Sequence, residues 1–427
     1  MKTTSTLLAA LTAIGLFASA PLSGADATAP KLSFSFAPGK PAAGVTPILP
    51  ATAYTAAQGY GFEPGAVPVV VGDNALGADT SFFFSVAVPE GNYRVTVTFG
   101  SAKAASDNTV KAELRRLMLE KIHTDAGQSV TRSFIVNVRR PQFPGGQVSL
   151  NARERGNEAR AWDEKLTLEF AHDAARSAVS AVTIEKVDVP TVFLLGDSTV
   201  CDQPVEPFNS WGQMITRWFK PEIAVANHSE SGESVAPSLG AHRFDKIWSQ
   251  MKPGDYLFVQ FGHNDMKNKA ANALDTYTAN LRKVVALTRA KGGIPVLVTS
   301  VSRETFGASG KITDSFNGYT DAVRKVAREE KAALVDLQNS SAKFYEALGK
   351  NVAQGAFAND KEKTHHNNYG SYEVAKCVLM GIKEAKLDLA QYISADFTDF
   401  DPSQPDPIAT FKMAKGSERT AETPLGN

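Results

Sequence analysis

Ser198 stands at an abrupt change in the chain. The apolar run Val192-Phe193-Leu194-Leu195 stops at Gly196-Asp197-Ser198. A strand that ends this way presents a serine hydroxyl at a strand-to-helix turn. Such a hydroxyl is a weak nucleophile at neutral pH until a neighbouring base takes its proton. Far downstream, Thr364-His365-His366-Asn367-Asn368-Tyr369-Gly370 offers His365 or His366 as that base. An imidazole in this role needs a carboxylate to hold its tautomer and stabilise the imidazolium. Glu362 lies three residues before His365, and Asp360 lies five before it.

The tetrahedral oxyanion formed on attack needs donors aimed at it. The Ser198 N–H, the Gly232 N–H and the Asn264 side-chain amide are the candidates; the latter two lie in Asn227-His228-Ser229-Glu230-Ser231-Gly232 and Gly262-His263-Asn264-Asp265. Glycine suits the task because its backbone can approach a ligand closely. Asp197, Trp211 and His263 are the candidate substrate contacts. Each segment alone has a plainer reading. Gly-Asp-Ser is a common turn, and a His pair could bind a metal. Their complementary chemistry, repeated at the ends of successive strands, argues for a hydrolase site.

The elements that must position these residues follow from the hydrophobic pattern. From about Pro190, short continuous apolar runs alternate with helical patterns. "TVFLL", "EIAVAN", "DYLFVQF", "IPVLVTS" and "AALVDL" read as buried parallel strands. "SWGQMITRWF", "AHRFDKIWSQM", "LDTYTANLRKVVALTRA", "FNGYTDAVRKVAREE" and "GSYEVAKCVLMGIKEA" read as helices between and after them. This alternation predicts an α/β fold with helices on both faces of a parallel sheet. Ligands then bind at the C-terminal strand ends, where the motif segments fall.

Residues 26–188 read differently. "SFFFSVAV", "YRVTVTFG", "SFIVNVR", "QVSLNA", "KLTLEFA" and "VTIEKVDV" are short β-runs, several alternating at period two. They predict an all-β sandwich. "KAELRRLMLEKIH" also alternates and is assigned to strand. The resulting organisation is a leader over 1–25, a β-sandwich over 26–188, a catalytic α/β domain over 189–390 and an extended tail over 391–427.

Composition narrows the function classes. Lys plus Arg equals Asp plus Glu at 45 each, giving a formal net charge of zero. That balance gives no support for a nucleic-acid partner. Lys2, the apolar "LLAALTAIGLFASA" and small residues at Ser23 and Ala25 form a signal-peptide pattern, with the mature chain starting near Asp26. The protein is therefore expected to be secreted or periplasmic, with no membrane partner. Cys201 and Cys377 are the only cysteines. If both flank one site, they either pair or remain buried free thiols. Trp211 is the leading aromatic for stacking on a substrate ring, ahead of Trp248 and Tyr369. Trp162 reads as core, and His228 as lining the cleft. Arg217, Arg243, Lys267 and Arg303 are candidates for a basic groove.

The ordered blocks "GDS", "N-x-x-x-x-G-x-S", "G-x-N-D" and the terminal His segment resemble those of the SGNH, or GDSL, hydrolases. The resemblance spans residues 190 to about 386 and implies a flavodoxin-like three-layer α/β/α fold. It also implies Ser198 as nucleophile, with Gly232 and Asn264 completing the oxyanion hole. The family's His stands five residues before a Gly that opens the last helix, which selects His365 over His366. The family usually carries Asp three residues before that His; here the position is Glu362, with Asp360 as the alternative. "GDSTVCDQP", "SWGQM", "KPGDYLFVQFGHNDMK" and "THHNNYGSYEVAKCV" are similar to rhamnogalacturonan acetylesterases of carbohydrate esterase family 12. The β-rich region is similar to the galactose-binding-like domain of some bacterial members.

The resemblance implies two-step removal of acetyl groups from acetylated rhamnogalacturonan with no metal or organic cofactor. Competing readings are an esterase of another acetylated polysaccharide such as xylan, and a carbohydrate-binding protein with a degenerate hydrolase domain.

Overall fold

Period-two alternation builds the first domain and continuous apolar strands build the second. A computed structural model of the chain describes residues 31–416. The leader expected over 1–25 and the last part of the tail lie outside the described residues.

The first domain is all β. One sheet is centred on Gly91–Phe99, which pairs antiparallel with Val130–Val138 and Val179–Val187. The other runs in the order Tyr60–Phe62, Phe82–Ala87, Lys165–Ala171, Ser106–Ala112, Arg116–Thr124. Alternate residues face inward: Val95, Val97 and Phe99 from one sheet meet Phe82, Phe84, Val86, Leu166, Leu168 and Phe170 from the other. "KAELRRLMLEKIH" is a hairpin, its turn carried by Glu113 and Arg115 at positive φ. "QVSLNA" is not a strand beyond Gly146–Gln147. Its chain instead leaves the sheet and turns toward the second domain.

The second domain holds a parallel sheet of β1 (Thr191–Gly196), β2 (Ala224–Asn227), β3 (Tyr256–Gln260), β4 (Ile294–Val298) and β5 (Ala333–Val335). Its order is β2-β1-β3-β4-β5, reversing direction at β1. Every strand contributes to both faces. Val192, Leu194, Tyr256, Phe258, Val296 and Val298 pack on one side with α4 (Leu337–Leu348) and α5 (Asn368–Glu384). Phe193, Leu195, Leu257, Val259 and Leu297 pack on the other with α1 (Arg243–Gln250), α2 (Ala273–Ala290) and α3 (Tyr319–Glu329). The three layers bury apolar side chains on both faces of the sheet, the condition that a parallel sheet requires.

The tail crosses the molecule as a strap with buried anchors. Ser394 N donates to Trp218 O at 2.6 Å, and Phe397 and Phe400 are buried. Near its end, Lys111 Nζ of the first domain donates to Ala414 O at 3.1 Å, and Gly416 N donates to Glu206 at 2.7 Å. No helix among the described residues is long and apolar enough to cross a membrane.

Candidate active site

β1 delivers Ser198 because Gly196 lets two chains meet. A Cβ there would lie 2.6 Å from Gln260 O and 2.7 Å from Val200 Cγ2, so any other residue would push the strand end from β3. The chain then turns tightly, with Val200 N and Cys201 N both donating to Asp197 O at 3.0 Å. Asp197 Oδ1 accepts from Thr199 N at 3.0 Å and Thr199 Oγ1 at 2.8 Å. Its other oxygen meets His263 Nδ1 at 3.0 Å, and His263 Nε2 donates to Val301 O at 3.0 Å.

Both side chains are sealed, Asp197 at 0% and His263 at 1% exposure. Burial alone would raise the Asp197 carboxyl, but His263 and the Thr199 donors outweigh it and hold it below the ordinary carboxylate value. This pair ties the turn after β1 to the loop after β3. The expected substrate contacts at Asp197 and His263 are therefore corrected: both side chains spend their polar atoms on each other, Thr199 and Val301 O.

The His segment closes on Ser198 from the loop before α5. Asn367 caps that helix, its side chain accepting from Gly370 N at 3.0 Å. The two histidines then diverge. His365 Nε2 lies 2.7 Å from Ser198 Oγ. His366 Nε2 lies 2.6 Å from Tyr345 Oη, and its ring clusters with those of Tyr345 and Phe357. Burial drops the His366 pKa to about 3, leaving it a neutral packing residue.

On the far side of His365, Glu362 Oε2 stands 3.2 Å from Nδ1, within ion-pair range though out of line for a hydrogen bond. Its Oε1 accepts from the backbone N–H groups of Lys363, Thr364 and His365 at 3.0–3.1 Å. Glu362 thus shapes the turn and faces the ring with the same carboxylate, whereas Asp360 is exposed.

One contact links the two loops that carry the oxyanion candidates. Asn264 Nδ2 donates to Glu233 O at 2.9 Å, tying the loop after β3 to the residue following Gly232. Gly232 has φ 80°, a conformation that costs a side-chain-bearing residue energy.

Trp211 is 1% exposed and its Nε1 donates to Gln260 Oε1 at 2.8 Å, so the sugar-stacking expectation is corrected to core packing. Trp248 and Tyr369 are buried too, bonded to Thr288 and to Asp406 O. His228 lies sealed under Trp162, not in a cleft. Cys201 and Cys377 are buried free thiols, with Cys201 Sγ 3.2 Å from Ser231 Oγ. Arg217 is paired with Glu120 and Asp396, and Arg243 with Glu154 and Glu233.

Arg303 differs from those two. Among the described residues its hydrogen-bond acceptors are all neutral, Thr364 Oγ1, Ser315 Oγ, Met266 Sδ and His263 O at 3.3–3.5 Å, and the guanidinium lies over the Phe316 ring. Those partners place its guanidinium between the two motif loops, one residue from His365 and one from Asn264. Burial lowers its pKa, opposed by the charge of Asp197.

Sequence reasoning missed the supports that come from the first domain. Arg115 donates to Gln203 O and Phe208 O, both at 3.0 Å. Arg116 Nε lies 3.2 Å from Asp202. The segment they hold bears on the site directly, since Gln203 Nε2 donates to Ser198 O at 2.8 Å and Phe208 packs edge-on against His365. Adjacent Arg residues at a hairpin turn were the only signal, and a solvated turn carries the same signal.

Comparison with known proteins identifies the family. The model of the GDSL-like Lipase/Acylhydrolase family matches residues 194–371. Rhamnogalacturonan acetylesterase RhgT of Bacillus subtilis (strain 168) is 34% identical over 216 residues, covering 47% of this chain and 93% of that protein. The uncharacterized esterase YxiM of the same bacterium is 26% identical over 382 residues, 84% of this chain and 92% of that protein. The crystal structure of Bacillus subtilis YxiM covers 84% of this chain and 99% of its own, at 23% identity and a TM-score of 0.47. With its motif blocks in order and a relative of this identity matched almost end to end, the chain belongs to the GDSL-like lipase/acylhydrolase family of carboxylic ester hydrolases.

Proposed function

We propose that the protein is an exported serine acetylesterase that removes acetyl groups from acetylated rhamnogalacturonan. The observation that carries the chemistry is Ser198 Oγ held 2.7 Å from His365 Nε2, with Glu362 at the opposite ring nitrogen. Ser198 Oγ attacks the acetyl carbonyl carbon as His365 Nε2 takes its proton. The carbonyl oxygen becomes an oxyanion received by the Ser198 and Gly232 N–H groups and the Asn264 amide. Collapse breaks the ester bond, and His365 returns the proton to the departing sugar hydroxyl. Water then attacks the acetyl-serine, His365 taking its proton and giving it back to Ser198 as acetate leaves.

The polymer assignment is supported by the similarity to RhgT and by Arg303, a cation without a carboxylate partner within 4 Å among the described residues. A guanidinium so placed suits the carboxylate of an acidic sugar. Export is supported by the leader pattern over 1–25.

Acetate release from acetylated rhamnogalacturonan and from acetylated xylan, measured side by side, tests the reading. Faster release from the acidic polymer supports it. Equal or faster release from xylan moves the substrate to neutral glycans, and binding without release leaves only a carbohydrate-binding protein.

A further inference from the structure

We infer that Arg153 of the N-terminal domain is a positioning residue for the oxyanion hole, acting through the Ser231–Gly232 peptide. The inference rests on the reading that the Gly232 N–H receives the oxyanion. Arg153 Nη2 donates to Ser231 O at 2.9 Å. That carbonyl and the Gly232 N–H belong to one peptide unit, which is planar and trans, so the two groups point in opposite directions. Fixing the oxygen therefore aims the N–H.

The constraint matters because Gly232 sits at φ 80°. A glycine adopts either sign of φ readily, so the peptide before it can rotate at little steric cost. A charged donor on the carbonyl also polarises the peptide and strengthens its N–H as a donor.

Arg153 is itself anchored. Asn151 Oδ1 accepts from Arg153 N at 2.8 Å and Glu154 N at 3.0 Å, closing a tight turn. Glu154 then grips Arg243 of α1 with two bonds of 2.8 Å, both side chains 1% exposed, and accepts from Trp162 Nε1 at 3.0 Å. Glu230 pairs with Arg153 and accepts from Asn151 Nδ2 at 3.1 Å, while Glu158 lies 3.7 Å from Arg153 Nε. Segment 151–162 of the first domain thus reaches the loop after β2 and holds the one peptide in it that the chemistry uses.

The test is steady-state hydrolysis of 4-nitrophenyl acetate, a small neutral ester, by the full chain. Arg153→Met is expected to lower kcat about tenfold with KM unchanged, less than the loss of an oxyanion donor outright. Arg153→Lys regains most of that loss, since an ammonium still donates to the carbonyl. Glu230→Gln, which removes the ion pair and leaves the Arg153–Ser231 bond, stays well above Arg153→Met.

Wild-type kcat in Arg153→Met overturns the inference, as does a Glu230→Gln loss equal to that of Arg153→Met. Asn264→Ala separates the underlying reading: if it too keeps full activity, the oxyanion assignment fails whatever Arg153 does. Should Arg153→Met not fold, Arg153→Ala, which also lacks a donor, carries the same comparison.

Discussion

Replacing Glu362 by Gln isolates what the carboxylate contributes to His365. In the native turn, Oε1 accepts from three consecutive backbone N–H groups at 3.0–3.1 Å, and Oε2 faces His365 Nδ1 at 3.2 Å. Gln keeps an oxygen for the backbone donors, so the turn survives. Its NH₂ then occupies the place of Oε2 and presents donors to Nδ1. His365 answers by leaving Nδ1 unprotonated and carrying its proton on Nε2, where it points at Ser198 Oγ. An imidazole in that tautomer cannot take the serine's proton, and the imidazolium loses its counter-charge. The same acid-to-amide change in a serine protease triad lowers kcat about 10⁴-fold. That corresponds to about 5.4 kcal/mol at the transition state. Acetate release at saturating substrate, with thermal unfolding as a control on the fold, measures it. Activity within about tenfold of wild type for Glu362→Gln would refute the tautomer argument. A collapse in Asp360→Asn would move the orienting role to the exposed carboxylate.

Further expectations concern the surrounding residues. Trp211→Phe should destabilise the fold by about 2–3 kcal/mol, because it leaves a void and orphans Gln260, while KM for the polymer stays unchanged; a KM rise without destabilisation would return Trp211 to the substrate. Arg303→Met should raise KM for acetylated rhamnogalacturonan by about 10-fold or more through the lost charge-assisted bond, and leave KM for a neutral acetyl ester alone. Burial pushes the Asp265 carboxyl up to about 7 from 3.8, and its Oδ2 has no hydrogen-bond partner among the described residues. The folded state then holds that proton more tightly than the unfolded chain. Stability is lost as pH rises from the unfolded value toward 7, by at most about 4 kcal/mol. Asp265→Asn should flatten that slope and melt higher than wild type above pH 7, as read from unfolding midpoints across the range.

How much of this was legible in the sequence depends on the range of each interaction. The parallel strands and the positions of Ser198, Gly232, Asn264 and His365 could be read because strand ends and short spacings are local properties. Whether a residue beside the nucleophile faces substrate or core is not local. Trp211, Asp197 and His263 have site-like chemistry, yet each spends its polar atoms on neighbouring strands and loops and is sealed from solvent. The family's spacing selected Glu362 over Asp360, but the turn that Glu362's own carboxylate builds is not written in that spacing. Helix α4 was hidden because Asn339, Ser340 and Ser341 weaken its local propensity, and packing of Phe344 and Tyr345 holds it. Least legible were Arg115, Arg116 and Arg153. Their partners lie in the other domain, and no periodicity marks a contact between two separately patterned halves of a chain.

The proposed mechanism makes Ser198 the nucleophile of an acyl-transfer cycle. Titration with a fluorophosphonate, followed by mass spectrometry of the labelled peptide, tests it most directly. One label per chain is expected, on Ser198, with activity lost in proportion and no labelling of Ser198→Ala. Full acetate release from a chain labelled at Ser198, or inactivation with the label on another residue, contradicts it.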